Sequence, residues 1–197
     1  MKVIFLDNDG VICLSSNWGS RHKKQKEWGK RKLSMTSWDI PVEYRFDNFD
    51  LKAVKVLNQI LETTNAEIVV SSDWRMHATL EELGEYYTSK GIIKKPIAVT
   101  DFFKDIYPSE WAGMRFRADL ELERSMEIGH WLENHPEVTH WVAVDDLNMS
   151  VEFLGDRFAS KDGSDSKPGL TNFVLTPRAW EGIKQSGIKN KIIKHLQ

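Results

Sequence analysis

Val3-Ile4-Phe5-Leu6 is an unbroken apolar run that stops at Asp7-Asn8-Asp9-Gly10. Such a run closed by a glycine turn predicts a buried strand over residues 2–6. The layout recurs: Ala66 to Val70 leads into Ser71-Ser72-Asp73, and Val138 to Val144 leads into Asp145-Asp146. Helical periods lie between. Ala53, Val54, Leu57, Ile60 and Leu61 predict a helix over 50–62, with Asp50 as its cap. Leu120, Ile128, Trp131 and Leu132 predict the inward face of a helix over 117–134, stopped ahead of Pro136. Ser72 or Asp73 is placed to cap a helix running through Trp74 towards Tyr87. Ile97 to Thr100 reads as a third strand, 101–113 as irregular, 155–169 as loop-rich and Phe173 to Leu175 as a last strand. Thr176-Pro177 has the form of an N-cap and first residue opening a C-terminal helix.

Strands alternating with helices predict an α/β fold, a parallel sheet with helices on both faces. Residues 15–48 show no clear period and are too long for a plain loop in a compact domain. They are expected to form a small lid or flap inserted after strand one, within a single domain spanning 1–197. In open α/β sheets ligands bind beyond the carboxyl ends of the strands. Asp7/Asp9, Ser71/Ser72 and Asp145/Asp146 all follow strands, and three clusters there carry more weight than any one.

Composition narrows the classes. With 41% hydrophobic and 28% charged residues over 197 positions, the chain is that of an ordinary globular protein. No apolar stretch approaches the roughly 18 residues of a membrane span, and the N-terminus lacks a signal-peptide layout. Cys13 is the single cysteine, so no internal disulfide forms. A cytoplasmic location is the expectation. The net charge of −2 hides an asymmetry: Arg21 to Lys32 holds seven Lys/Arg and one Glu, a local +6, which leaves −8 for the remainder. Such a block is either a solvated face or a means of steering a polyanion. Trp18, Trp28 and Trp38 lie in or beside it. Aromatics interleaved with basic groups such as Lys30 suit contact with single-stranded nucleic acid; a small core of the lid itself is the other reading.

Asp7-Asn8-Asp9-Gly10 could open a calcium loop. Placing Gly10 sixth, as that loop requires, puts Phe5 first and Ser16 twelfth, where carboxylates are needed. The loop is excluded. Phosphomonoester hydrolysis fits better, because it needs a nucleophile, a proton donor, groups that bind the phosphoryl oxygens and a divalent cation. In that scheme Asp7 is nucleophile and metal ligand, and Asp9 donates and then recovers a proton. Ser71, or its neighbour Ser72, binds phosphate, while Asp145 and Asp146 complete a Mg²⁺ site with Asp7 and Asp9. Arg124 is the best-placed cation, with Arg117 and Arg115 behind it. Alternatives stay open: Asp145/Asp146 as a helix cap, Arg124 as an exposed partner of Glu121 or Glu127, Arg75 lining the pocket or binding Asp73. Trp74 reads as packing, and the six histidines form no metal pattern.

With these residues in place, the chain resembles a haloacid dehalogenase (HAD) superfamily hydrolase. Its four motifs occur in order: Val3 to Val11 (VIFLDNDGV), Ile68 to Ser72 (IVVSS), the basic residue near Arg124, and Val142 to Asp146 (VAVDD). Ile68 to Arg75 (IVVSSDWR), Arg124 to Leu132 (RSMEIGHWL), His135 to Asp146 and Gly169-Leu170-Thr171 are similar to the HAD domain of Swiss-army-knife RNA-repair proteins and phage relatives. The similarity spans most of 1–185 and is weakest over 15–48. It implies a Rossmann-like core, Mg²⁺ dependence and phosphatase activity on nucleotide or polynucleotide ends, with Asp7 and Asp9 as nucleophile and acid/base. The third-motif cation, often Lys in the superfamily, is Arg here, which binds phosphate bidentately instead of as a point charge. A small-metabolite phosphatase or phosphotransferase, or an idle nucleic-acid- or protein-binding module, are the competing expectations.

Overall fold

The computed structural model describes residues 1–29, 40–108, 119–157 and 169–197. Lys30, Trp38, Arg115 and Arg117, all singled out above, lie outside the described residues.

A five-stranded parallel sheet organises the chain. Its strands are β1 (Lys2–Leu6), β2 (Glu67–Val70), β3 (Ala98–Val99), β4 (His140–Asp145) and β5 (Phe173–Leu175), in the spatial order β3-β2-β1-β4-β5. The described helices are α1 (Ser20–Gly29), α2 (Val42–Arg45), α3 (Leu51–Thr64), α4 (Leu80–Ser89), α5 (Phe103–Ile106), α6 (Leu120–Glu133), α7 (Val151–Arg157) and α8 (Ile188–His195). This is the expected α/β architecture, a Rossmann-like core with helices on both faces.

Alternation along each strand sorts the core. Ile4, Leu6, Ile68, Val70, Val142 and Val144 point to one face and pack with Leu57 and Ile60 of α3, Leu83 and Tyr87 of α4, and Ile192 of α8. Val3, Phe5, Val69 and Ala143 point to the other, against Ile128 and Trp131 of α6 and Met149 and Leu154 around α7. Burial on both faces is why the strands read as continuous apolar runs. Asp50 caps α3, its carboxylate accepting from the Ala53 amide at 2.8 Å.

Five expectations are corrected. The helix foreseen from Ser72 to Tyr87 is two elements. A 3₁₀ turn over Asp73–Met76 comes first, and α4 then starts afresh where Thr79 and Glu82 form a reciprocal capping box. The segment read as irregular contains α5, and the loop-rich segment begins with the last residues of α7. Leu120 is half-exposed at 52%, because it opens α6 ahead of the buried stretch. Thr176 does not cap a helix. It is buried, its hydroxyl donates to the Gly10 carbonyl at 3.2 Å, and α8 begins only after Gly187.

The segment 15–48, where described, leaves the sheet through a short 3₁₀ turn, forms α1 and returns through α2. Asp47 ties the two ends together: its carboxylate accepts from the Gly19 amide (3.1 Å), the Arg21 amide (2.7 Å) and the Ser20 hydroxyl (3.2 Å). Trp28 stacks on Tyr44 with centroids 6.0 Å apart, while Trp18 is 50% exposed.

Candidate active site

Strand register assembles the site. Leu6 pairs with Val70 on one side and Val144 on the other. The next residue of each strand is therefore Asp7, Ser71 and Asp145, side by side at the carboxyl edge of the sheet. Backbone bonds carry the ladder one step further: the Asp7 amide donates to the Val144 carbonyl and the Ser71 amide to the Leu6 carbonyl, both at 3.1 Å. Three positions separated by 64 and 74 residues thus converge because their strands end in register.

Beyond Asp7 the chain turns sharply. The Asn8 carbonyl accepts from the amides of Val11, Ile12 and Cys13 (2.8–3.3 Å), and its side-chain oxygen accepts from the Tyr87 hydroxyl at 2.6 Å. Gly10 has a φ of +72°, open to glycine at no steric cost. A Cβ there would also lie 2.1 Å from the Asp146 carboxylate. Gly10 is required twice, for the turn and for room beside an acidic group.

Oxygen atoms of Asp7, Asp145 and Asp146 lie within 4.8 Å of one another. Asp7 and Asp145 are buried and Asp146 is half-buried. Burial pushes the Asp7 carboxyl well above its usual range; Asp145 adds to the rise and Arg124 opposes it. Burial, reinforced by Asp145, lifts Asp146 to about 6. A cluster that resists full ionisation on its own is suited to a hard cation, and an all-oxygen donor set matches Mg²⁺. Asp9, expected among the metal ligands, is not part of this three-carboxylate group.

Asp9 is held differently. Its carboxylate accepts from the Trp74 indole N–H at 2.8 Å. Burial raises its pKa, and that hydrogen bond partly offsets the rise. Trp74 is stacked with Phe46 at 4.3 Å and Phe49 at 5.2 Å, nearly coplanar with each. The packing residue of the sequence reading is thus also a hydrogen-bond donor to the proposed acid. Nothing in the local sequence signals this, since the two positions are 65 residues apart.

Arg124 comes from the second turn of α6 and is buried. Its Nη1 donates to Asp145 at 2.8 Å and to Asp7 at 3.2 Å, and its Nη2 to Asp73 at 3.0 Å. Burial disfavours its charge, but Asp145 and Asp7 more than compensate and raise its pKa. Neither Glu121 nor Glu127 is its partner. Glu127 pairs instead with Arg75 at 2.6 Å and accepts from the Phe103 amide at 2.8 Å. Arg75 is buried, donates also to the Ser71 carbonyl, and lies over the Phe102 ring at 4.4 Å. Asp73, the other candidate partner of Arg75, is taken by Arg124. Helical spacing in the sequence offers Glu127 only as a partner of Arg124; its pairing with Arg75, 52 residues away, has no local signal.

Ser71 Oγ is buried and has no hydrogen-bond partner among the described residues. A buried hydroxyl left unsatisfied costs free energy until something fills the gap. Ser72 Oγ is used locally, accepting from the Trp74 amide at 3.4 Å at the start of the 3₁₀ turn. Of the basic segment, α1 buries no side chain, and Lys24 donates to the Phe46 carbonyl at 2.7 Å and the Asn48 side chain at 3.2 Å.

Among known families, the model described as "HAD domain in Swiss Army Knife RNA repair proteins" matches residues 3–172. No curated protein and no solved structure matches the chain. The matched span runs from the first residues of β1 to the edge of β5 and includes every charged group of the site.

Proposed function

Since the chain belongs to the HAD domain family of Swiss Army Knife RNA repair proteins, we propose that it is a Mg²⁺-dependent phosphomonoesterase working through an aspartyl-phosphate, on phosphates at nucleotide or polynucleotide ends. The observation that carries this reading is the cluster of Asp7, Asp145 and Asp146 with Arg124 bridging two of its members, beside the unpartnered Ser71 hydroxyl.

Mg²⁺ would be held by Asp7, Asp145 and Asp146, and when bound supplies positive charge that offsets repulsion between carboxylates and phosphate. An Asp7 oxygen attacks phosphorus, forming the acyl-phosphate bond as the ester P–O bond breaks. Asp9 gives its proton to the leaving oxygen; burial raises its pKa, the direction that favours the protonated form this step needs. Deprotonated Asp9 then takes a proton from water, whose oxygen attacks phosphorus. The bond to Asp7 breaks, inorganic phosphate leaves, and both carboxyl groups return to their starting states. The Ser71 hydroxyl donates to a phosphoryl oxygen, and Arg124 offsets charge on the others. Contact with a polynucleotide strand is assigned to the basic helix α1 and the half-exposed Trp18, whose residue types suit it.

The test is phosphate release from 3′-phosphorylated and 5′-phosphorylated oligonucleotides, mononucleotides and a small sugar phosphate, with and without Mg²⁺. Release is expected from the nucleotide substrates, to depend on Mg²⁺, and to fall at least about a thousandfold in Asp7→Asn, as removal of a nucleophile does. Unchanged turnover in Asp7→Asn sinks the mechanism. Much faster hydrolysis of the sugar phosphate sinks the substrate assignment.

A further inference from the structure

Beside Arg124 a cleft of about 370 Å³ opens between the 3₁₀ turn after β2, the start of α5 and the first turns of α6. That volume lies within the range of small-ligand pockets. Two of its walls are large apolar side chains that the fold leaves in water, Met76 at 50% and Leu120 at 52% exposure. Phe102 forms a third, its orientation held by the Arg75 guanidinium, which the Glu127 ion pair and the Ser71 carbonyl lock in turn. Polar groups ring the opening: Asp73, Glu123, and Lys104, whose ammonium lies 5.4 Å from the Phe102 centroid. Arg124 spans from this cleft to the acidic cluster, one amino group on Asp73 at the cleft and the other 3.2 Å from Asp7.

We propose that this cleft holds the nucleoside carrying the scissile phosphate, so that the leaving group is recognised by the core of the fold and not by the basic segment after β1. The inference rests on the phosphomonoesterase reading and adds a location for the ester's organic half. A phosphate attacked by Asp7 is one guanidinium away from the cleft. Its occupant meets apolar walls on its faces and hydrogen-bonding groups at its edge. A nucleobase has that character, with an apolar face for Met76, Leu120 and Phe102 and edge donors and acceptors for Asp73, Glu123 and Lys104. A polyol would leave Met76 and Leu120 unpaired with anything apolar. Among the described residues the basic segment offers less: α1 buries no side chain, and Lys24 is already committed to the Phe46 carbonyl.

Leu120→Arg tests this from an exposed position at the start of α6, where a long polar side chain fills the cleft without disturbing the core. In the full chain with Mg²⁺, kcat and KM are measured for nucleoside 3′- and 5′-monophosphates and for glycerol phosphate, which keeps the ester and lacks the base. The ratio of kcat/KM for the preferred nucleotide to that for glycerol phosphate is expected to fall about tenfold, chiefly through KM, the scale on which a lost base stack is felt. A ratio within twofold of the parent in a variant with unchanged circular dichroism overturns the proposal. Calorimetric binding of the nucleoside monophosphates to Asp7→Asn, with and without Leu120→Arg, gives a readout independent of turnover. About tenfold weaker binding supports the assignment, and unchanged binding overturns it. Loss of nucleotide binding in Leu120→Arg together with no turnover of any ester by the parent chain would sink the phosphatase reading while leaving the cleft as a nucleotide site.

Discussion

Single residues in this site answer to more than one constraint. Gly10 serves a left-handed turn and leaves room for the Asp146 carboxylate. Gly169 does something similar at the far edge: its φ is +112°, and a Cβ would sit 2.8 Å from the Ser150 carbonyl. Asp146 offers a pH test. Its pKa of about 6 in the fold, against 3.8 when free, means that the folded chain holds a proton there between those values. Ionising Asp146 is therefore unfavourable to the metal-free fold, and the stability of the protonated form is lost as pH rises through about 6. Mg²⁺ needs the ionised form. Its affinity is expected to fall by roughly tenfold between pH 7 and pH 5, as one proton competes for the site. Titration calorimetry across that range checks the slope; a flat profile would remove Asp146 from the ligand set.

At the scale of elements, caps and packing set the boundaries that periodicity leaves loose. The continuous helix expected from Ser72 fails because Ser72 caps only a 3₁₀ turn and Thr79 begins again with Glu82. Arg45 then clamps Glu82 through both oxygens at 2.8 Å, joining α2 to the start of α4. Thr79→Ala is expected to cost about 1 kcal/mol, the usual value of an N-cap, read as a lower midpoint in urea unfolding with the slope unchanged. Strands were the most legible elements, since a short apolar run ending in polar residues has few other readings. The helix α6 was legible in extent and in its inward Ile128 and Trp131, but its first two turns were not. Leu120 was expected inside, whereas the buried positions include the charged Arg124 and Glu127. Hydrophobic periodicity has no means of marking charged residues that are buried because each has a partner on another element.

Across the whole molecule, the returning end of the 15–48 segment is coupled to the acid/base by an aromatic stack, with Phe46 and Phe49 on Trp74 and Trp74 donating to Asp9. Trp74→Phe separates the two roles, keeping a ring against Phe46 and Phe49 while removing the N–H. Turnover is expected to fall roughly ten- to a hundredfold, the worth of a hydrogen bond to a charged group, with the thermal midpoint lowered by only a few degrees. Unchanged turnover would reduce Trp74 to packing. The sequence by itself determined the α/β class, the strands and the acidic and hydroxyl residues at their ends, because those signals are local: an apolar run, a glycine turn, a polar residue next in line. Only the tertiary structure decided how those ends meet. Parallel register put Asp7, Ser71 and Asp145 abreast, the turn of α6 brought Arg124 onto two of the carboxylates, and long-range packing gave Asp9 to Trp74 and Arg75 to Glu127. Those pairings join positions 21 to 138 residues apart, and a partner at that distance leaves no periodicity, cap or turn for a linear reading to find.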